Sequence, residues 1–372
     1  MLAKKIKVLI VDDSALVRRM LTEMLSSDAA IEVVGAAEDP FDAREKIKAL
    51  NPDVITLDIE MPKMDGVTFL RNLMRLHPLP VVMVSSLTEK GADVTLAALE
   101  LGAIDFVTKP KVNVGGSLAD YKQEIIEKIK MAAKVSMSRV ERNATQSTAK
   151  VAEKPVRTTP ATMIPAKLSA DAILSQHASG KEKSRQRIIA IGASTGGTEA
   201  IREVLTALPE NMPPIVITQH IPAAFSGPFA KRMDSMSALS VHEAEEGQLI
   251  LPGHVYIAPG SQHLLIESVG GKLVCRLHDG PPVNRHKPSV DVMFRSVAQV
   301  CGTNAIGVLL TGMGDDGARG LKELQDVSAK TIAQDEKTSV VWGMPGEAVK
   351  LGAADLVLPL SEVASKLLVL SK

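Results

Sequence analysis

From Ile6 to Lys134 the chain repeats one pattern five times: a short apolar run, then a stretch of helical spacing. The apolar runs are 6–11, 31–36, 53–57, 80–84 and 104–107, and the helical stretches are 14–26, 40–50, 66–76, 91–101 and 119–134. Runs this apolar are buried on both faces, and a strand–helix alternation of this kind closes only as a parallel, doubly wound α/β sheet. In such a sheet function collects at the carboxyl ends of the strands. Asp12 and Asp13 stand after the first run, Asp58 after the third, Ser85 and Ser86 after the fourth, and Lys109-Pro110 after the fifth. Three carboxylates on one edge repel one another and need a cation to coexist. All-oxygen ligands with room for water suit Mg²⁺. A carboxylate beside that ion can attack a phosphoryl donor, and a nearby lysine can hold the phosphoryl oxygens. One such aspartate would be an ordinary loop or cap residue. The whole set at successive strand ends is not.

A second centre lies at Arg187 to Leu208. Ile188-Ile189-Ala190-Ile191 reads as a buried strand, and 198–208 as a helix with Ala200, Ile201, Val204, Leu205 and Leu208 on one face and Thr198 as its cap. Between them, Gly192-Ala-Ser-Thr-Gly-Gly197 makes a tight strand-to-helix turn that fits G-x-S-x-G. A turn of this kind lifts the Ser194 hydroxyl clear of the sheet and aims backbone amides beside it. The same glycines would also serve a packing turn or a phosphate cradle, and on the motif alone the two readings stand level.

Between these centres, residues 135 to 186 are rich in Ser, Thr, Ala, Lys, Gln and Pro and poor in residues able to bury apolar area. They read as a flexible linker between a first domain at 1–134 and a second at 187–372. Lys181 to Arg187, mixed and mostly basic, reads as the solvated end of that linker. Lysine plus arginine balance aspartate plus glutamate at 43 each, so no basic excess argues for nucleic acid or an anionic membrane. The two cysteines, Cys275 and Cys301, form no metal-type cluster. With no secretory signal and no apolar run long enough to span a bilayer, the expectation is a cytoplasmic protein that is not membrane-inserted.

In the second domain the apolar run 214–218 ends in Gln219-His220, which puts His220 on the same edge as Ser194 if the two strands are parallel. A helix follows at 225–236 with Phe225, Phe229 and Met233 inward; short strands follow at 255–258, 264–267 and 273–277, the last two a hairpin. The stretch 280–288 is a stiff polar loop carrying Arg285, His286 and Lys287: alone a solvated charge cluster, beside an active site a set able to hold an acidic peptide. Ser289 caps a helix at 290–300. The run 306–310 opens into Thr311-Gly-Met-Gly-Asp-Asp-Gly317, where Asp315 and Asp316 are both able to orient a histidine. Helices at 347–351 and 360–370 flank a last strand at 354–358. A serine hydroxyl needs a base and a third group to fix that base; these loops supply Ser194, His220 and an aspartate, with amides of 312–314 for an oxyanion. The order Ser, His, Asp differs from the Ser, Asp, His of α/β-hydrolases.

Val11-Asp-Asp-Ser14, Leu57 to Gly66, Ser85 and Thr108-Lys-Pro110 resemble the receiver domain of two-component response regulators. That resemblance implies a flavodoxin-like, five-stranded parallel sheet. It implies that Asp58 accepts a phosphoryl group, that Asp12 and Asp13 with Asp58 hold Mg²⁺, and that Lys109 contacts the phosphoryl oxygens. Ser85 becomes the switch hydroxyl, Phe106 the switch aromatic, and Lys109-Pro110 a cis peptide. Ile191 to Gly197, Gln219 to Pro222, Tyr256 to Gly260, Pro282 to Asp291, Leu310 to Gly317 and Gly343-Met-Pro345 resemble the catalytic domain of the chemotaxis methylesterase family. By position this implies Ser194 as nucleophile, His220 as base, Asp316 rather than Asp315 as orienting acid, and Met313 as an oxyanion-hole amide. The implied reaction hydrolyses glutamate methyl esters and deamidates glutamines on the cytoplasmic domain of methyl-accepting chemotaxis receptors. The esterase step needs no cofactor, and Mg²⁺ serves the receiver alone. A chemotaxis histidine kinase becomes the phosphodonor, and the enzyme a monomer. Against a rival in which the second domain only binds nucleotide or nucleic acid, a binding loop gives no reason for His220 and Asp316.

Overall fold

The computed structural model describes residues 4–86, 88–109, 118–135, 167–176 and 183–372. In the first unit β1 (Ile6–Val11), β2 (Ile31–Ala37), β3 (Val54–Asp58), β4 (Val81–Ser85) and β5 (Asp105–Thr108) form a sheet of order β2-β1-β3-β4-β5. Every pairing is parallel, as the five-fold alternation predicts. Helices α1 (Ala15–Ser26), α2 (Pro40–Leu50), α3 (Gly66–Leu76), α4 (Glu89–Glu100) and α5 (Leu118–Ala132) cover it. The strand order reverses between β1 and β3, which opens a crevice at the ends that carry Asp12, Asp13 and Asp58.

The second unit is built on β6 (Ile188–Ala193), β7 (Ile215–Gln219), β8 (Ser240–Glu243), β9 (His254–Ile257), β12 (Ala305–Leu309), β13 (Lys330–Gln334) and β14 (Leu356–Leu358). They form a seven-stranded sheet of order β14-β13-β12-β6-β7-β9-β8, parallel at every pairing. The hairpin β10 (His263–Val269) with β11 (Lys272–His278) stands apart as an antiparallel pair. Helices α6 (Gly197–Thr206), α7 (Ala223–Met236), α8 (Val290–Cys301), α9 (Ala318–Asp326), α10 (Met344–Lys350) and α11 (Leu360–Leu370) complete the layers. Here the switch falls between β6 and β12, so the loops that leave them diverge at the sheet's centre.

Several expectations change. Helix α6 starts at Gly196, whose φ of 73° only glycine adopts freely, and Thr198 lies inside the helix rather than capping it. Ser289 holds the N-cap position of α8 but makes no cap bond; its hydroxyl donates to Asp316 instead. Strands β8 and β13 were not anticipated. Part of the linker is docked: Arg295 binds Asp171 and the Leu174 carbonyl, Gln299 binds the Ser175 carbonyl, and Ala170 is buried. The rest of the linker reading, 136–166 and 177–182, and the peptide to Pro110 lie outside the described residues.

Candidate active site and receiver centre

Ser194 follows β6 and is pinned on both sides. Its amide donates to the Thr311 carbonyl at 3.0 Å, and its carbonyl accepts from Gln219 Nε2 at 2.9 Å. A Cβ on Gly197 would lie 2.1 Å from Gln219 Oε1, so this glycine permits the close approach. The register pairs Ala193 with Gln219, and the His220 amide donates to the Ala193 carbonyl at 3.2 Å. Ser194 and His220 therefore leave adjacent parallel strands on one edge.

From the other side of β6, the loop after β12 brings Asp316, whose Oδ2 lies 2.8 Å from His220 Nε2. The Asp316 carboxylate is buried and also accepts from Asn284 Nδ2 (2.8 Å), Ser289 Oγ (2.8 Å), and the Val290 (2.7 Å) and Asp291 (3.3 Å) amides. Burial alone would push its carboxyl up. The bond and charge of His220, then His286 and Asn284, outweigh burial and hold it far below the usual carboxylate range. The two amides belong to the N-terminal turn of α8, where a carboxylate is favoured. Asp315 points elsewhere, half-exposed and paired with Lys167 at 2.5 Å.

His220 Nδ1 is buried and has no hydrogen-bond partner among the described residues. The His286 ring lies over His220, centroids 3.8 Å apart and 10° from parallel. Burial, with the His220 charge adding, pushes His286 down to about 3, so it stays neutral at physiological pH. In the loop beside Ser194, the Gly312 amide donates to the Val341 carbonyl, whereas no described backbone carbonyl accepts from the Met313 amide. Asn284 has no role in the reading of the sequence, and His286 belongs to a loop expected to be solvated unless an active site lies beside it; here one does. The available signal was a polar loop bounded by prolines and set between strand ends.

At the receiver edge one oxygen from each of Asp12, Asp13 and Asp58 lies within 4.8 Å of the others. Asp12 Oδ2 and Asp58 Oδ2 are buried without a hydrogen bond, while Lys109 Nζ sits at ion-pair distance from each, 3.1 and 2.8 Å. Burial pushes Asp58 up to about 6 against the pull of Lys109, with the Asp12 charge adding to the rise. An all-oxygen set of three carboxylates faced by a single lysine fits a hard divalent cation such as Mg²⁺. Ser85 is buried, and its Oγ accepts from Thr95 Oγ1 at 2.7 Å. Phe106 is buried too, with its ring 4.5 Å from that of Phe225 in α7.

That last contact crosses between the units, and others join it. Thr195, next to Ser194, donates its hydroxyl to Asp105 at the start of β5. Arg232 of α7 forms a two-pronged pair with Glu100 of α4. Met313, Val340 and Val341 pack against the receiver's own core cluster. The face of β5 and α4 thus lies against the loops that carry Ser194 and Met313.

Residues 189–367 match the family model for CheB methylesterase, and residues 8–114 that for the response regulator receiver domain. A protein-glutamate methylesterase/protein-glutamine glutaminase of Hydrogenovibrio crunogenus is 63% identical, with 99% of each chain covered. The chain belongs to the protein-glutamate methylesterase/protein-glutamine glutaminase family. A relative from Xanthomonas euvesicatoria pv. vesicatoria with that family name is 58% identical over 98% of this chain and 97% of its own. The crystal structure of the Thermotoga maritima CheB methylesterase catalytic domain is 40% identical over 50% of this chain and 98% of its own, at a TM-score of 0.49. In this chain a receiver domain is joined to a methylesterase domain, so both edges described above belong to one polypeptide. No helix among the described residues is long and apolar enough to cross a membrane.

Proposed function

We propose that the chain is a phosphorylation-regulated serine hydrolase in which Ser194, His220 and Asp316 form the catalytic triad. It is a protein-glutamate methylesterase and protein-glutamine glutaminase. The observation that carries the triad is the His220 Nε2–Asp316 contact of 2.8 Å, which leaves the buried Nδ1 as the nitrogen able to take a proton. Ser194 Oγ attacks the γ-carbonyl carbon of a receptor glutamate methyl ester and passes its proton to His220 Nδ1. The Met313 amide donates to the oxyanion. Collapse returns the proton to the departing methoxide, methanol leaves, and Ser194 carries the glutamyl acyl group. Water, deprotonated by His220, then releases glutamate and restores the serine. On a glutamine the same steps release ammonia. Asp316 holds the histidine tautomer throughout and stays ionised.

At the other edge Asp58 takes a phosphoryl group from a chemotaxis histidine kinase, and Lys109 contacts its oxygens. Asp12, Asp13 and Asp58 would hold Mg²⁺, which when bound neutralises charge on the phosphoryl oxygens. Ser85 and Phe106 are the residues that respond. The Phe106–Phe225 and Asp105–Thr195 contacts support inhibition by covering: the unphosphorylated receiver rests on the esterase edge and phosphorylation loosens it. The substrates are the cytoplasmic domains of methyl-accepting chemotaxis receptors, and the enzyme acts in the cytoplasm as a monomer.

The test is methanol release from methylated receptor membranes, with and without a small phosphodonor and Mg²⁺. Release is expected to vanish in Ser194→Ala and to lose its response to the donor in Asp58→Asn. Release that survives Ser194→Ala overturns the triad. Deleting residues 1–135 is expected to raise basal release; unchanged release overturns inhibition by covering.

A further inference from the structure

The carboxylate that orients His220 is itself held by a second, deeper pair. Asn284 is buried, and its Nδ2 donates both to Asp316 Oδ1 at 2.8 Å and to Asp291 Oδ2 at 2.6 Å. Asp316, held ionised, only accepts, so Asn284 must turn its nitrogen toward Asp316, and the same NH₂ then reaches Asp291 Oδ2. Asp291 is held in turn, because its Oδ1 accepts from the Gly320 amide at 2.6 Å. A Cβ on Gly320 would lie 3.0 Å from the Asp291 Cα, so the start of α9 and the start of α8 touch at this point. Asp291 therefore joins three parts of the fold: α8, α9 and the 280–288 loop that also lays His286 on His220.

The arrangement stabilises poorly for its own sake. Burial, with the Asp316 charge adding, pushes Asp291 above the usual carboxylate range. Two neighbouring buried carboxylates would be replaced with gain by apolar side chains if packing were the only purpose. Their shared amide does something packing cannot: it fixes the plane of the Asp316 carboxylate. With Ser289 Oγ and Asn284 Nδ2 on Oδ1, Oδ2 is left to face His220 and the Val290 amide.

We propose that Asn284 and Asp291 are positioning residues of the esterase site: the amide of Asn284, oriented by Asp291, holds the Asp316 carboxylate in the plane that serves His220. The inference rests on the triad reading above. It predicts that both residues act on kcat rather than on substrate binding, and that Asp291 acts only through Asn284.

The experiment uses the full chain with phosphodonor and Mg²⁺, and reads kcat and KM for methanol release from methylated receptor membranes. The variants are Asn284→Ala, Asp291→Asn and the double variant, with thermal melts to count folded enzyme. In Asp291→Asn an NH₂ must face either Asn284 or the Gly320 amide, so one donor meets another. Asn284→Ala is expected to lower kcat by about ten- to a hundredfold, the kinetic equivalent of one charge-assisted hydrogen bond, with KM unchanged. Asp291→Asn is expected to lower kcat in the wild-type background and to change nothing further once Asn284 is alanine. A wild-type kcat in folded Asn284→Ala, a rise in KM at constant kcat, or independent multiplying losses would overturn the proposal. If Asn284→Ala does not fold, Asp291→Asn decides alone, and a wild-type kcat there has the same force. A Ser194→Ala control separates the two levels. Methanol release without Ser194 removes the triad reading, whereas release that needs Ser194 but ignores Asn284 and Asp291 removes only the positioning.

Discussion

Asp315 and Asp316 are neighbours in one loop with opposite environments. Asp316 is buried under five donors; Asp315 is half-exposed with one lysine. Asp316→Asn is expected to lower kcat for methanol release by about 10³- to 10⁴-fold, because the wrong histidine tautomer is then favoured. Asp315→Asn should leave kcat near the wild-type value, since an exposed ion pair contributes little. Gly312 offers a steric counterpart. A Cβ there would lie 2.3 Å from Met344 Sδ and 2.8 Å from the Ser194 Cβ, so Gly312→Ala must displace the serine. Methanol assays should show a loss of about a hundredfold, as expected when a reacting atom moves by roughly an ångström. In the receiver, Asp58 titrates at about 6 when folded, above the ordinary 3.8, chiefly because of burial. The folded state therefore binds more protons than the unfolded state between those values, and the Asp58 contribution to stability is lost as pH rises through that window. Calorimetry of Asp58→Asn without Mg²⁺ should show a higher receiver melting temperature than wild type above pH 6. The gap should close near pH 4, and added Mg²⁺ should narrow it at high pH.

At the scale of elements, helix spacing was readable wherever one face is buried. Helices α2, α3 and α11 have the boundaries the periodicity predicts, and Asp39 and Asp65 cap α2 and α3 through real side-chain bonds. The failures have local causes. Thr198 and Ser289 are good cap types in the right places, but a left-handed glycine starts α6 and a buried carboxylate claims the Ser289 hydroxyl. Strand β13 escaped notice because Thr331 and Gln334 are polar yet buried; Gln334 accepts from the Thr311 amide at 2.7 Å. Strand β8 is an edge of four residues, too short to show a period. The α4–α7 contact carries its own prediction. Arg232→Ala removes the pair with Glu100, and basal methanol release without phosphodonor is expected to rise by about fivefold at most, the limit for a partly exposed pair. Release with the phosphodonor should not change.

At the scale of the molecule, the β5–α4 face of the receiver lies against the carboxyl edge of the second sheet, and one buried cluster runs from Leu9 and Phe106 in the receiver through Phe225 to Leu367. The alternation of apolar runs with helical stretches was enough to specify two α/β units, because burial on both faces leaves a strand no polar side. The Ser, His and Asp at loop ends were legible for a related reason: strand direction in a parallel sheet assigns every such loop to one edge. Which of two adjacent aspartates meets His220 was not decided locally. That depends on the β6–β12 switch point and on the arrival of α8, whose Val290 and Asp291 amides, 26 and 25 residues away in sequence, donate to Asp316. The docking of 167–176, the His286 stack, the Asn284 bridge and the meeting of Phe106 with Phe225 likewise join residues distant in the chain. Periodicity and short motifs report what a residue does with its own turn or strand. Contacts between separate layers depend on how whole elements pack, and no local pattern records them.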